Sequence, residues 1–181
     1  MKWSIAFAFL GVIALLTILS HFESESPRSV SPQAPVEVEI DQLLLTRYDE
    51  EGKKLEESSA VRAIRLEEYS TTHFSELEVR RHDRQGQEWV LISPSGTSDA
   101  SNDTVRLEGG VAVSRGDAVN LLTETVVINI VSGKAVSKNK TQLTSNKSSS
   151  VADGLVIDLE QGTAELVGQV RSTYQRSRQT P

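Results

Sequence analysis

The 181-residue sequence contains no cysteine and only three histidines, His21, His73 and His82. The first absence excludes disulfide frameworks, thiolate metal sites, a cysteine nucleophile and a lipid-modified cysteine anchor. The second leaves little from which to build an imidazole metal centre, so no metal and no other cofactor is expected. Aromatics amount to 5%, and positive charge is in deficit: 19 Lys and Arg stand against 25 Asp and Glu, a net −6. Binding nucleic acid by counterion displacement needs the opposite balance, so nucleic acid is not an expected partner. Catalytic signatures are missing too. There is no G-x-S-x-G, no H-E-x-x-H, no P-loop and no dinucleotide fingerprint. The acidic pairs Glu50/Glu51, Glu56/Glu57 and Glu67/Glu68 are sequence neighbours. On a strand, neighbours face opposite ways, so these pairs read as solvated charge and the chain as a non-enzyme.

What is present begins with one long hydrophobic run. Trp3 to Phe22, twenty residues, carries no charge. At about 1.5 Å per residue such a helix reaches roughly 30 Å, the thickness of a bilayer core. Lys2 precedes it while Glu23 and Glu25 follow, which leaves the positive flank in the cytoplasm and the body outside. A cleaved signal peptide is the rival reading; the run exceeds a signal-peptide core and lacks a small-x-small pair at its end, which favours an uncleaved anchor. The expected organisation is a cytoplasmic tip and transmembrane helix over 1–22, a Ser/Pro-rich linker over 23–35, a folded domain over 36–174 and a polar tail over 175–181.

The body reads as strand. Val36, Val38 and Ile40 alternate with acidic residues; so do Val105, Leu107, Val111 and Val113 with polar ones, and Leu155, Ile157 and Leu159 with Val156, Asp158 and Glu160. Turn signals stand at Asp49–Gly52, Asp83–Gly86, Pro94–Gly96, Ser132–Gly133 and Gln161–Gly162. Ala60 to Tyr69 has helix propensity but no helical stripe, and is assigned to strand. A weak internal repeat also shows. Leu107–Val111 and Leu166–Val170 share L-x-G-x-V, and Thr125–Asn129 pairs with Gly154–Asp158. Units of this kind bury their faces only by stacking on neighbours.

Six segments in order then carry a resemblance. They are the strand-to-turn Tyr48–Gly52, the strand opening Trp89-Val90, and the hairpin-like Val105–Val113. They continue with the threonine-bearing strand start Leu122–Thr125, then Gly154-Leu155 with Ala164–Leu166, and finally Val170–Tyr174. In this order the chain resembles the lipopolysaccharide export protein LptC family. The resemblance implies an all-β fold, an open twisted jelly roll of antiparallel strands. It would stand in the periplasm, tethered to the inner membrane by the single N-terminal helix. It further implies that the chain binds lipopolysaccharide without modifying it, receives it from an inner-membrane ABC transporter (LptB, LptF, LptG) and passes it to the bridge protein LptA.

Physics favours a carrier of this kind. Each methylene exposed to water costs about 0.8 kcal/mol, so several acyl chains crossing an aqueous gap unaided would cost tens. An apolar trough removes that cost. Its expected lining is Leu43, Leu45, Phe74, Leu77, Val79, Leu91, Leu107, Val113, Ile128, Ile157 and Leu159. Because the domain is acidic, acyl chains rather than lipid phosphates are expected to dominate binding. The C-terminal strand, Ala164 to Tyr174, is expected to present Ala164, Leu166, Val170 and Tyr174 as an edge for the bridge protein. The N-terminal strand, Val36 to Tyr48, is expected to serve the transporter. Gly52 and Gly154 are expected to supply turn or bulge angles, and a functional reading adds close backbone approach. A membrane-anchored scaffold that pairs its edges with partners and carries no lipid remains the alternative.

Overall fold

In the computed structural model the described residues are 36–66, 70–82, 86–158 and 163–174. The expected span over 1–22, the linker over 23–35 and the tail over 175–181 lie outside them. So do Leu159, residues 67–69 of the expected 60–69 strand, residues 83–85 and the Gln161–Gly162 turn. No helix occurs among the described residues, so none there is long and apolar enough to cross a membrane.

The strands are β1 (Val36–Tyr48), β2 (Lys54–Leu66), β3 (Thr71–His82), β4 (Glu88–Asp99), β5 (Thr104–Arg115) and β6 (Val119–Asn129), then the short β7 (Lys134–Ser137), β8 (Thr141–Ser145), β9 (Ser148–Ala152), β10 (Gly154–Asp158), β11 (Thr163–Val167) and β12 (Arg171–Tyr174). All pair antiparallel. From β1 to β6 each strand pairs with its sequence neighbour; beyond β6 the sheet forks into β7-β10-β11 and β8-β9-β12. The fork is one sheet with a break in it. β7 pairs with Val127–Asn129 of β6 and β8 with Val119–Thr123, so β7 and β8 are two halves of one pass. β9 with β10, and β11 with β12, repeat the pattern. Among the described residues the sheet does not close: β1 pairs only with β2, β11 only with β10 and β12 only with β9.

The break continues across the long strands as a transverse seam. Gln42 in β1 has φ 54°, Glu76 in β3 has φ 51°, and Gly109 and Gly110 in β5 have φ 85° and 98°. Register shifts fall between Ile92 and Ser95 and between Glu108 and Val111, on the same line. Along a regular strand inward residues recur every second position. Across the seam the step becomes three on five strands, Ile40 then Leu43, Ala60 then Ala63, Phe74 then Leu77, Ser93 then Gly96, Thr123 then Val126, and four on β5, Leu107 then Val111. The changed step bends each strand and re-aims the residues beyond it, with bulges where the register shifts along β4, β5 and β6. Both halves of every long strand thereby turn an apolar face to one core, with Phe74, Leu107, Val126 and Ile128 on one side of the seam and Val79, Leu91, Val113 and Leu121 on the other.

Several expectations change here. Pro94–Gly96 is no turn; it lies inside β4, where Pro94, lacking an N–H, occupies the bulge and Gly96 pairs with Phe74 and Leu107. Val105–Val113 is no hairpin, because β6 stays paired on both sides of Gly109-Gly110 and the glycines bend the strand without reversing it. Leu122–Thr125 lies in the middle of β6, at the seam, and starts no strand. Val36, at the start of the outermost described strand, is 51% exposed. The Asp49–Gly52 turn and the strand through Ala60 form as read, the turn with Gly52 N–H on Asp49 O at 3.1 Å. The L-x-G-x-V repeat also acquires a meaning: Gly109 and Gly168, with φ 85° and 86°, both mark seam crossings.

Candidate functional site

Ten of the eleven expected lining residues gather in one core. Phe74, Leu77, Val79, Leu91, Leu107, Val113, Ile128 and Ile157 are at most 2% exposed, while Leu43 and Leu45 pack against them half-buried. Leu159 lies outside the described residues. The bend explains how residues from both halves meet: without it, alternate halves of each strand would present opposite faces. Transverse rows run across the strands through the register. Leu45, Ser58, Val79, Leu91, Val113, Leu121 and Leu143 form one such row, from β1 to β8. A polar break sits beside the seam, where the Thr123 and Ser137 hydroxyls lie 2.7 Å apart and Thr141 Oγ1 donates to Thr123 Oγ1 at 3.2 Å.

The end of the inner face far from the seam is charged. Glu56, read from sequence as solvated, is 2% exposed. Arg47 donates to its Oε2 at 3.0 Å, and the Arg81 guanidinium lies 3.5 Å away. Burial pushes the Glu56 carboxyl above its usual value despite the opposing pull of the two arginines. Burial likewise lowers Arg81, with the nearby Arg47 charge acting in the same direction and Glu56 against it. Beside them Arg115 lies over the Trp89 ring, 5.3 Å from its centroid. The inner face of this acidic domain thus carries cationic side chains at one end. The missed signal was parity, since Glu56 shares the face of Ser58 and Ala60, and Arg81 that of Leu77 and Val79.

The C-terminal edge also differs from the expected single strand. Ala164 and Leu166 lie on β11, Tyr174 on β12, and Val170 between them outside either ladder. The interruption has a local cause: Gly168 turns with φ 86°, and Gln169 N–H bonds Asp153 Oδ2 at 2.8 Å across the seam. Leu166 packs on the core, whereas Val170 and Tyr174 are 46% and 68% exposed. Gly52 supplies a turn angle as expected, at φ 79°. Gly154 does not supply such an angle; it lies in β10 and fits the close-approach reading, since a Cβ there would lie 2.7 Å from Ser137 O. Among the described residues no cluster of three or more His, Asp or Glu could hold a metal ion.

Residues 4–175 match the profile of a family described as lipopolysaccharide-assembly, LptC-related. A search of curated protein sequences finds no match. Among solved structures the chain is similar to LptH, described as the LptA homologous periplasmic component of the conserved lipopolysaccharide transport device from Pseudomonas aeruginosa. The likeness is at 11% identity and a TM-score of 0.46, covering 75% of this chain and 96% of that one.

Proposed function

The chain belongs to the LptC-related lipopolysaccharide-assembly family, and from that premise we propose that it carries lipopolysaccharide by its acyl chains along the inner apolar face. It takes the lipid from the inner-membrane ABC transporter (LptB, LptF, LptG) and hands it to an LptA-like bridge protein. Trp3–Phe22 anchors it in the inner membrane, residues 23–35 span the gap to the folded body, and the body stands in the periplasm. The observation that supports this most directly is the inner face itself: an apolar surface that runs across every pass of a sheet left open at both ends. An open end lets one such face abut another, and a closed barrel would not. Acyl chains reach the lining by parting the packed faces, replacing side-chain contacts with lipid contacts of the same apolar kind.

The near-complete burial of the lining favours the rival, a scaffold that pairs its edges and carries no lipid. Photocrosslinking separates the two. A photoreactive residue at Ile157, which is fully buried on the inner face, should label lipopolysaccharide in cells that make it. The same residue at Asp158, of opposite parity, should not. Equal labelling at both positions, or none at Ile157 while bridge-protein binding persists, would sink the carrier.

A further inference from the structure

Three strands end their inward faces alike. β1 reads Leu43-x-Leu45-x-Arg47, β3 reads Leu77-x-Val79-x-Arg81 and β5 reads Val111-x-Val113-x-Arg115. The strands between them supply Glu56 and Trp89 at the same level. Register fixes the alignment, since Arg47 pairs with Glu56, Glu56 with Arg81 and Arg81 with Trp89. Leu91 pairs with Val113 two residues earlier, and so Arg115 falls opposite Trp89, where its guanidinium covers the ring. The result is a row of three arginines and one carboxylate at the mouth of an apolar face, formally +2 in a chain of −6. Surface charge elsewhere is largely paired along or between strands, as Arg65 with Glu37 and Arg106 with Glu108. Here, among the described residues, three guanidiniums share the row with the one carboxylate of Glu56. They are also partly desolvated, the side chain of Arg81 being 12% exposed and that of Arg47 38%. Guanidinium forks in such a setting match phosphate oxygens two at a time, and reduced solvation strengthens the attraction.

We propose that Arg47, Arg81 and Arg115 form an anion site for the phosphate of an acylated amphiphile, whose tails lie on the Val79, Leu91 and Val113 row immediately behind. This rests on the carrier reading above and assigns the headgroup chemistry of the same face. The spacing fits an amphiphile rather than a free anion, because the charged row is one inward position, about 7 Å, from the apolar one. Trp89 joins the two, holding Arg115 on its ring and burying its own body in the core. Glu56 holds Arg47 and Arg81 together, and a phosphate arriving between Arg81 and Arg115 need not displace it from Arg47.

The test is a titration of the full chain in detergent with lipid A bisphosphate, and with the same lipid after removal of its phosphates. The unmodified chain should bind the phosphorylated form about tenfold more tightly, the scale of one charge-assisted contact. Arg115→Gln, which leaves the Arg–Glu56 pairs intact, should shrink that ratio severalfold, and Arg47→Gln likewise. Glu56→Gln removes the only carboxylate of the row and should widen it. Misfolding would not move the ratio in opposite directions. A ratio of one for the unmodified chain, or an equal ratio in all variants, overturns the anion site and leaves the carrier reading standing. Binding of neither lipid overturns the carrier reading, and this inference with it. Displacement of the phosphorylated lipid by millimolar inorganic phosphate alone would mean a site for free anion, and would overturn the assignment to an amphiphile.

Discussion

Gly154 and Gly52 separate two reasons for a glycine. At Gly154 a Cβ would meet Ser137 O at 2.7 Å and Val167 Cγ2 at 3.0 Å, because β10 is wedged between β7 and β11. Gly154→Ala should therefore destabilise by about 1–3 kcal/mol, the range for an overpacked site. Gly52 has open space around it but φ 79°. Gly52→Ala should cost only the left-handed backbone term, about 1 kcal/mol. Chemical denaturation of the two variants checks this, and a Gly154→Ala variant as stable as the parent would refute the close approach. Glu56 supplies a pH signature. Its carboxyl is raised above the ordinary 4.5 by burial, so the folded chain binds that proton more tightly than the unfolded chain. The stability this group contributes is thus full below pH 4.5 and falls as pH climbs through the raised folded value. Denaturation at a series of pH values should show the unmodified chain losing stability relative to Glu56→Gln across that window. A difference that stays flat or runs the other way would contradict the burial argument.

At the scale of elements the seam is the organising feature, and its backbone makes a sharp prediction. Glu76 holds φ 51° without being glycine, a conformation that costs an ordinary residue about 1–2 kcal/mol. Glu76→Gly should be neutral or stabilising by up to about 1 kcal/mol, whereas Ser75→Gly, one residue away in extended backbone, should destabilise by roughly 0.5–1 kcal/mol. Thermal melts that show both variants equally destabilised would remove the seam from Glu76. The same feature marks where sequence reading succeeds and where it stops. Period-two alternation located each strand half, because burial on one face writes itself directly into residue type: Val105 with Leu107, Leu155 with Ile157. It could not see that Pro94–Gly96 and Gly109-Gly110 bend strands instead of ending them, since proline and glycine carry the same local signal in a bulge and in a turn. What distinguishes the two is the partner across the ladder, which no single segment contains. The step of three from Phe74 to Leu77 or from Ala60 to Ala63 is visible in the residues themselves, but reads as noise until it recurs in strand after strand. Glu56 and the three arginines were missed for a related reason. Charge was assigned to solvent by residue type, while the alternation around each residue placed it inside.

For the whole molecule the open ends decide how it would work. β1 is a single edge strand of 13 residues, bent at Gln42, and the opposite edge is split into β11 and β12 of 5 and 4 residues. Unpaired edges invite pairing with another chain, and short, interrupted ones invite it less. In the proposed polarity β1, next to the linker and anchor, faces the transporter, while β11 and β12 receive the bridge protein. The interruption refines the experiment. Val170 donates to no ladder, so a proline there would test the turn rather than the edge. Removing residues 171–181 deletes β12 and exposes β9, whose Val151 is already 43% exposed, but leaves β11 on the core through Leu166. Removing 163–181 strips both. Stepwise deletion in the full, membrane-inserted chain should weaken bridge-protein capture at the first step and abolish it at the second. Membrane insertion and co-purification with the transporter should survive both, provided far-UV circular dichroism retains its strand signal. A two-step loss would place the docking edge on both short strands. Complete loss at the first step would put it on β12 alone. Undiminished capture after the second would reverse the polarity and leave β1 as the edge that meets the bridge.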